Sequence, residues 1–167
     1  MAFTLFISFI ILLRVAELIY SKNNEKWLLK MGAIEYGKEH YPFMILLHVS
    51  FLCSLVLEYM LRSDGTYSNF ILVSYFLLLA CKFWVLYSLG KFWNTKIFRI
   101  PNGSLIATGL YKFIKHPNYV IVVCEIVLIP LAFHLYYTAL LFSILNLVML
   151  YVRINEENKV LNVEAIH

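Results

Sequence analysis

The chain has 167 residues, of which 62% are hydrophobic and only 14% charged, with a net charge of +4 and a mean hydropathy of +0.76. A water-soluble domain carries about a quarter charged residues, so this composition excludes an ordinary soluble enzyme and calls for lipid as solvent. The length suits a single domain, and the basic residues flank apolar runs instead of forming one aromatic-interleaved stripe, which excludes a nucleic-acid surface and assigns the charge to membrane orientation and contact with anionic lipids.

A membrane helix takes about 20 mainly apolar residues. The first such run extends from Ala2 to Tyr20. It has no basic leading segment and no small-residue cleavage site, and it carries Arg14 and Glu17, so it is expected to be a retained span and not a signal peptide. A loop over residues 21–41 follows, with Lys22, Lys26, Lys30 and Lys38. The second span is expected over 42–61, holding His48 and, toward its far end, Glu58. The third is expected over 70–89, with Lys82 inside it.

A second basic loop, 90–118, carries Lys91, Lys96, Arg99, Lys112 and Lys115. Within it Asn102-Gly103-Ser104 has the form of a glycosylation sequon, but Pro101-Asn102-Gly103 reads better as a turn. The closing apolar block, Tyr119 to Val152, is too long for one helix and short for two. Pro130 and the polar stretch around His134 divide it into spans over 119–134 and 136–152. The expected fold is therefore all-α, a single polytopic membrane domain of about five transmembrane helices. Cys53, Cys81 and Cys124 each fall inside an apolar run without a C-x-x-C pattern, so they are read as packing residues, with no disulfide framework and no metal site.

The two loops and the C-terminal segment, which adds Arg153 and Lys159, place eleven basic residues on one side of the membrane, and the other side has Arg62 alone. The positive-inside rule then puts the N-terminus outside and the C-terminus in the cytosol. In that threading Arg14, Glu17, His48, Lys82 and Glu125 all lie in the cytoplasmic half of the bilayer, with Glu58 an interfacial residue near the outer face. All but Glu125 have a structural explanation: an internal ion pair for Arg14 and Glu17, a lysine snorkelling to the surface, a packed histidine. Ionisable groups inside a membrane are nevertheless rare and point to function, and their common depth makes these five the candidate catalytic set. Arg14 and Lys82 suit the anionic head group of a lipophilic acceptor.

The second basic loop ends in Lys115-His116-Pro117-Asn118-Tyr119, a cation, an imidazole and a phenol at the mouth of a membrane helix. Proline fits the first helical turn, where its missing N–H is no loss, and the free N–H groups there favour an anionic group. The bland alternative is an interfacial belt of basic and aromatic residues. This segment resembles the (R/K)-H-P-x-Y signature of the isoprenylcysteine carboxyl methyltransferase family. Trp84 with Leu89-Gly90-Lys91-Phe92-Trp93-Asn94-Thr95 is similar to that family's tryptophan and L-G-x-x-W-T segment, the Gly109-Leu110-Tyr111 step fits, and Arg153-Ile154-Asn155-Glu156-Glu157 with Leu161 resembles its closing arginine, glutamates and leucine. Arg14 to Leu18, Asn24 to Trp27, Gly32 to Gly37, His40-Tyr41-Pro42 and His48 resemble small bacterial members, among them ones that O-methylate alkylpyrones. Lys115 stands where the family more often has arginine, keeping the charge but not the bidentate fork.

The resemblance implies an S-adenosylmethionine-dependent O-methyltransferase acting on a carboxylate or acidic hydroxyl of a lipophilic substrate, alkylpyrone-like or isoprenylcysteine-like. It implies cofactor contacts from Lys115, His116, Pro117, Tyr119, Arg153 and Glu157. The chain has no G-x-G-x-x-G and no strand–helix alternation, so a soluble nucleotide-binding fold does not supply the cofactor site. The expected partners are membrane lipids and a lipid-like substrate, with no nucleic acid and no metal, and the expected location is the cell membrane with the active site facing the cytoplasm. A small membrane transporter using Glu125, His48 and Lys82 as a relay, and a nicotinamide-dependent membrane reductase, are the competing readings.

Overall fold

The structure, a computed structural model, describes residues 1–62, 64–101 and 108–164. The Asn102-Gly103-Ser104 turn and the Leu161 side chain lie outside the described residues. Five helices run in chain order: α1 (Ala2–Lys30), α2 (Tyr41–Arg62), α3 (Asn69–Leu89), α4 (Pro117–Leu131) and α5 (Tyr136–Glu164). Four of these segments, α1, α2, α3 with its short continuation to Phe92, and α5 to Lys159, are long and apolar enough to cross a membrane, and α4 is the shorter apolar helix. The protein is a membrane helix bundle, with α4 packed on α3 and α5, and α2 packed on α5.

Two helices overrun the expected spans. α1 continues ten residues past Tyr20, through the first half of the expected loop, and α5 continues well past Val152. The apolar run marks where lipid solvates a helix, but its polar extension is stabilised by other contacts. In α1 these are specific: Asn24 donates to the carbonyls of Gly90 (3.1 Å) and Trp93 (2.7 Å), and Ser21 Oγ accepts from the Thr95 N–H at 3.0 Å. The overrun thus clamps the segment that follows α3.

The block from Tyr119 to Val152 is divided as the proline suggests, although α4 ends at Leu131, three residues short of the expected boundary. Pro130 occupies its last turn, and Ala132, Phe133 and Leu135 form a buried non-helical turn. Irregular backbone at membrane depth has to be satisfied by the protein itself. Here Leu135 N–H donates to the Pro130 carbonyl at 3.0 Å and Ser68 N–H to the Ala132 carbonyl at 2.9 Å. Glu58, expected at the interface, is buried instead: its carboxylate accepts the N–H groups of Tyr137 (3.1 Å) and Thr138 (2.6 Å) in the first turn of α5. A charge can be buried there because those N–H groups have no intrahelical acceptor and the helix dipole favours an anion.

At the opposite end, which carries most of the basic residues, two strands absent from the sequence expectation form a small antiparallel ribbon. β1 (Ile34–Tyr36) pairs with β2 (Ile97–Arg99), with Glu35 opposite Phe98. Lys96 ties the ribbon to α1 through Glu25 (2.9 Å) and Glu35 (3.3 Å). Although partial burial works against its charge, these two carboxylates hold the Lys96 ammonium above its usual range.

The core is aromatic at the α2–α3 end. Phe3 stacks on Tyr59 at 3.8 Å, and Phe6 meets Tyr75 edge-on at 5.3 Å. Of the three cysteines expected to pack, Cys53 and Cys81 are exposed and only Cys124 is half-buried.

Candidate active site

Four of the five intramembrane candidates meet in one cluster. Arg14 donates to Glu17 at 2.9 Å and to Glu125 at 2.8 Å. Lys82 donates to both Glu125 oxygens at 3.0 and 3.2 Å and also pairs closely with Glu17. Charges therefore alternate around a closed ring, Arg14–Glu17–Lys82–Glu125, that ties α1 to α3 and α4. The i, i+3 spacing of Arg14 and Glu17 places both on one face of α1, and the packing of α4 on α3 brings Glu125 to Lys82. Lys82 and Glu125 are almost fully buried, at 4% and 2% side-chain exposure, whereas Arg14 and Glu17 retain 20% and 14%. Lys82 does not snorkel: a carboxylate on each side is a better partner than the distant surface.

The ring has no net charge, since two cations face two carboxylates. This bears on the expectation that Arg14 and Lys82 present free positive charge to an acceptor, because both are already paired. His48 is not in the ring. Its Nδ1 lies 2.8 Å from the Met44 carbonyl one turn earlier in α2, so Nδ1 carries a proton and donates.

A second cluster forms at the mouth of α4. His116 caps that helix, with Pro117 in its first turn. His116 Nδ1 lies 3.3 Å from Glu157 of α5, the Tyr119 hydroxyl donates to the same carboxylate, and Arg153 Nε donates to the Tyr119 oxygen at 2.7 Å. Arg153 Nε is also 3.5 Å from Glu157, so the ordinary i, i+4 ion pair exists but is the longest link in the network. The His116 ring stacks on Tyr119 at 5.1 Å. Arg153 Nη1 reaches the Met44 sulfur at 2.9 Å, tying α5 to α2. Lys115 bonds Asn158 at 2.9 Å on the exposed side. A shallow surface recess, whose lining includes Tyr36, His40, Tyr41 and Lys96, shares Arg153 with the mouth.

Burial holds the His116 imidazole below its usual range; Glu157 opposes this and Lys115 and Arg153 add to it. The ring is thus neutral at pH 7, with Nδ1–H directed at Glu157 and Nε2 left as an acceptor. That buried Nε2 has no hydrogen-bond partner among the described residues, and neither have Asn118 Oδ1 and Trp93 Nε1. A buried polar atom without a partner costs about 1–3 kcal/mol. Two acceptors and one donor in this state, two of them at the mouth of α4, suit a ligand that brings its own donors and acceptors.

Met44 and the Ser21–Asn24 clamp escape sequence reasoning, apart from the resemblance noted for Asn24, which assigned it no contact. A methionine in an apolar run and two small polar residues in a helical extension carry no distinctive pattern. Among the described residues no group of three His, Cys, Asp or Glu side chains converges in a way that could hold a metal ion.

These features define an integral membrane protein that holds a charge-balanced ring within its helices and a polar, ligand-ready mouth where α4 begins. Residues 70–163 match the Isoprenylcysteine carboxyl methyltransferase (ICMT) family, and the chain belongs to that family. Membership supports a membrane methyltransferase. The chain is 43% identical over 161 residues to the uncharacterized protein YpbQ of Bacillus subtilis (strain 168), covering 95% of this chain and 96% of the relative. It is 30% identical over 156 residues to an uncharacterized protein of Haemophilus influenzae, covering 92% and 91%. No solved structure matches it. The matched segment contains Lys82, Glu125 and the whole mouth cluster, and leaves Arg14, Glu17 and His48 outside it.

Proposed function

We propose that the protein is an S-adenosylmethionine-dependent O-methyltransferase of the cell membrane, with its mouth facing the cytoplasm and a lipophilic acceptor reached through the bilayer. The observation that carries the cofactor reading is the trio at the start of α4: a neutral His116 oriented by Glu157, its Nε2 unpartnered, beside an unpartnered Asn118 Oδ1. Both atoms are acceptors and suit the amino and hydroxyl hydrogens of a nucleoside amino acid. Pro117 has no N–H and the Tyr119 and Val120 N–H groups go to the His116 carbonyl, so it is the positive end of the α4 dipole that suits the ligand's carboxylate. Glu157 and Arg153 hold the Tyr119 ring and the imidazole in register, and Lys115 adds positive charge at the rim.

When bound, the donor supplies a methyl group already activated on a sulfonium sulfur, so neither a metal nor a covalent intermediate is needed. The chain's own contribution is to align the acceptor oxygen with that methyl and to exclude water. Positioning of this kind lowers a barrier by about 7–11 kcal/mol. An alkylpyrone-like hydroxyl or a carboxylate at the end of an apolar tail fits a bundle whose helices face lipid.

Calorimetric titration of the nanodisc-reconstituted protein with S-adenosylhomocysteine and, separately, NADPH tests the reading. Saturable binding of the nucleoside thioether, weakened at least tenfold by Glu157→Gln, is expected, with none for NADPH. Binding of NADPH alone would establish the reductase instead, and binding of neither would leave the mouth without the proposed cofactor.

A further inference from the structure

The charge ring lies deeper than the mouth. Tyr119 and Glu125 are six residues apart on α4, about 9 Å along its axis at 1.5 Å per residue. It is neutral and closed, and that constrains what it can bind. An anion added to it would leave an uncompensated charge in a low-dielectric interior, which costs several kcal/mol. A neutral acid that gives its proton to a ring carboxylate adds no charge.

The two carboxylates are not equivalent. Glu125 is engaged by Arg14 Nη2 and, through both oxygens, by Lys82, and is 2% exposed. Glu17 makes one contact to each cation, is 14% exposed, and sits on α1 between Val15 and Leu18, which face outward at 47% and 48% exposure. Of the two carboxylates, a molecule arriving from lipid therefore meets Glu17 first, beside the still more exposed Arg14. The groups around Glu17 are Arg14 on its own helix, Lys82 and the Tyr75 phenol from α3, and Glu125 from α4, while His48 from α2 faces Arg14, Lys82 and Glu125.

We infer that the ring is the acceptor's binding site and that Glu17 takes the acceptor's proton. This rests on the methyltransferase reading. The acceptor enters as a neutral amphiphile with an acidic hydroxyl or carboxyl group. Its O–H bond breaks, the proton forms a new O–H bond on a Glu17 oxygen, and the electron pair stays on the acceptor oxygen. That oxygen then takes the place Glu17 vacates between Lys82 Nζ and Arg14 Nη1. The charge of the site is the same before and after. Glu125, fixed by both cations, keeps them in place during the exchange.

Palmitic acid labelled with ¹³C at its carboxyl, and its methyl ester, probe the site in nanodisc-reconstituted protein with no methyl donor present. The acid is expected to bind saturably and the ester at least tenfold more weakly. Infrared difference spectra of the wild-type protein should show a protonated protein carboxyl appearing as the labelled acid ionises; the isotope separates the two bands. Glu17→Gln removes one negative charge, leaves a surplus cation and should tighten palmitate binding about tenfold, whereas a merely structural role for Glu17 predicts no gain. Equal binding of acid and ester, no protonated protein carboxyl on binding, or no tightening in a folded Glu17→Gln protein would each overturn the inference. Because no donor is present, failure here is separable from failure of S-adenosylhomocysteine to bind, the result that sinks the methyltransferase reading.

Discussion

Replacing Lys82 with methionine tests whether the ring is held by charge balance or only by packing. Methionine keeps the stem's volume and removes the ammonium, leaving Arg14 to face both Glu17 and Glu125. Lys82 Nζ lies 3.0 and 3.2 Å from the Glu125 oxygens and also pairs with Glu17, at 4% side-chain exposure. A pair of unit charges 4 Å apart interacts by about 4 kcal/mol at an effective dielectric of 20. Much of that is offset by desolvation, but removing one partner of a buried pair still costs about 3–5 kcal/mol. For a chain of this length that corresponds to a fall of about 10 °C in the unfolding temperature, readable from the fluorescence of Trp27, Trp84 and Trp93 in nanodiscs. The double variant Lys82→Met/Glu17→Gln leaves Arg14 opposite Glu125, is neutral again, and should recover more than half of the loss. A single variant within 3 °C of wild type, or a double variant no better than the single, would refute the charge-balance reasoning.

Glu58→Ala removes the acceptor of two N–H groups in the first turn of α5 and should lower stability by about 1–2 kcal/mol, as a lost helix cap does; thermal unfolding checks this, and Glu58→Gln should lose less. S-adenosylhomocysteine affinity, measured by calorimetry, should be flat from pH 8 down to the usual histidine range near 6.5 and fall below it, because protonating His116 removes the Nε2 acceptor. The same group, with His40, should make the folded protein less stable as pH falls through that range, since the folded-state pKa of each lies below the unfolded value and the unfolded chain binds the proton more readily; His116→Asn should remove the binding step and shrink the stability step. In a cysteine-free background, Lys38→Cys should resist a membrane-impermeant maleimide in intact cells while Asp64→Cys reacts, if the basic end is cytosolic.

The sequence by itself determined the solvent and the class. Apolar runs of membrane length specify helices because lipid offers no partner to an unpaired backbone group, and Pro130 marks where the last run breaks. It also flagged Arg14, Glu17, Lys82 and Glu125, since charge inside an apolar run is legible one residue at a time, and the Lys115–Tyr119 motif, whose members are adjacent in the chain. Only the tertiary structure decided that those four charges close into a neutral ring, because pairing depends on how α1, α3 and α4 rotate against one another, and helical periodicity carries no such information between helices. It likewise turned Glu58 from a surface residue into a cap, left His48 bonded to its own helix, and joined Ile34–Tyr36 to Ile97–Arg99 across more than sixty residues. Apart from His48, each of these outcomes rests on a polar group finding its partner far along the chain. In a low-dielectric interior that choice is worth several kcal/mol, and it is made by three-dimensional proximity alone.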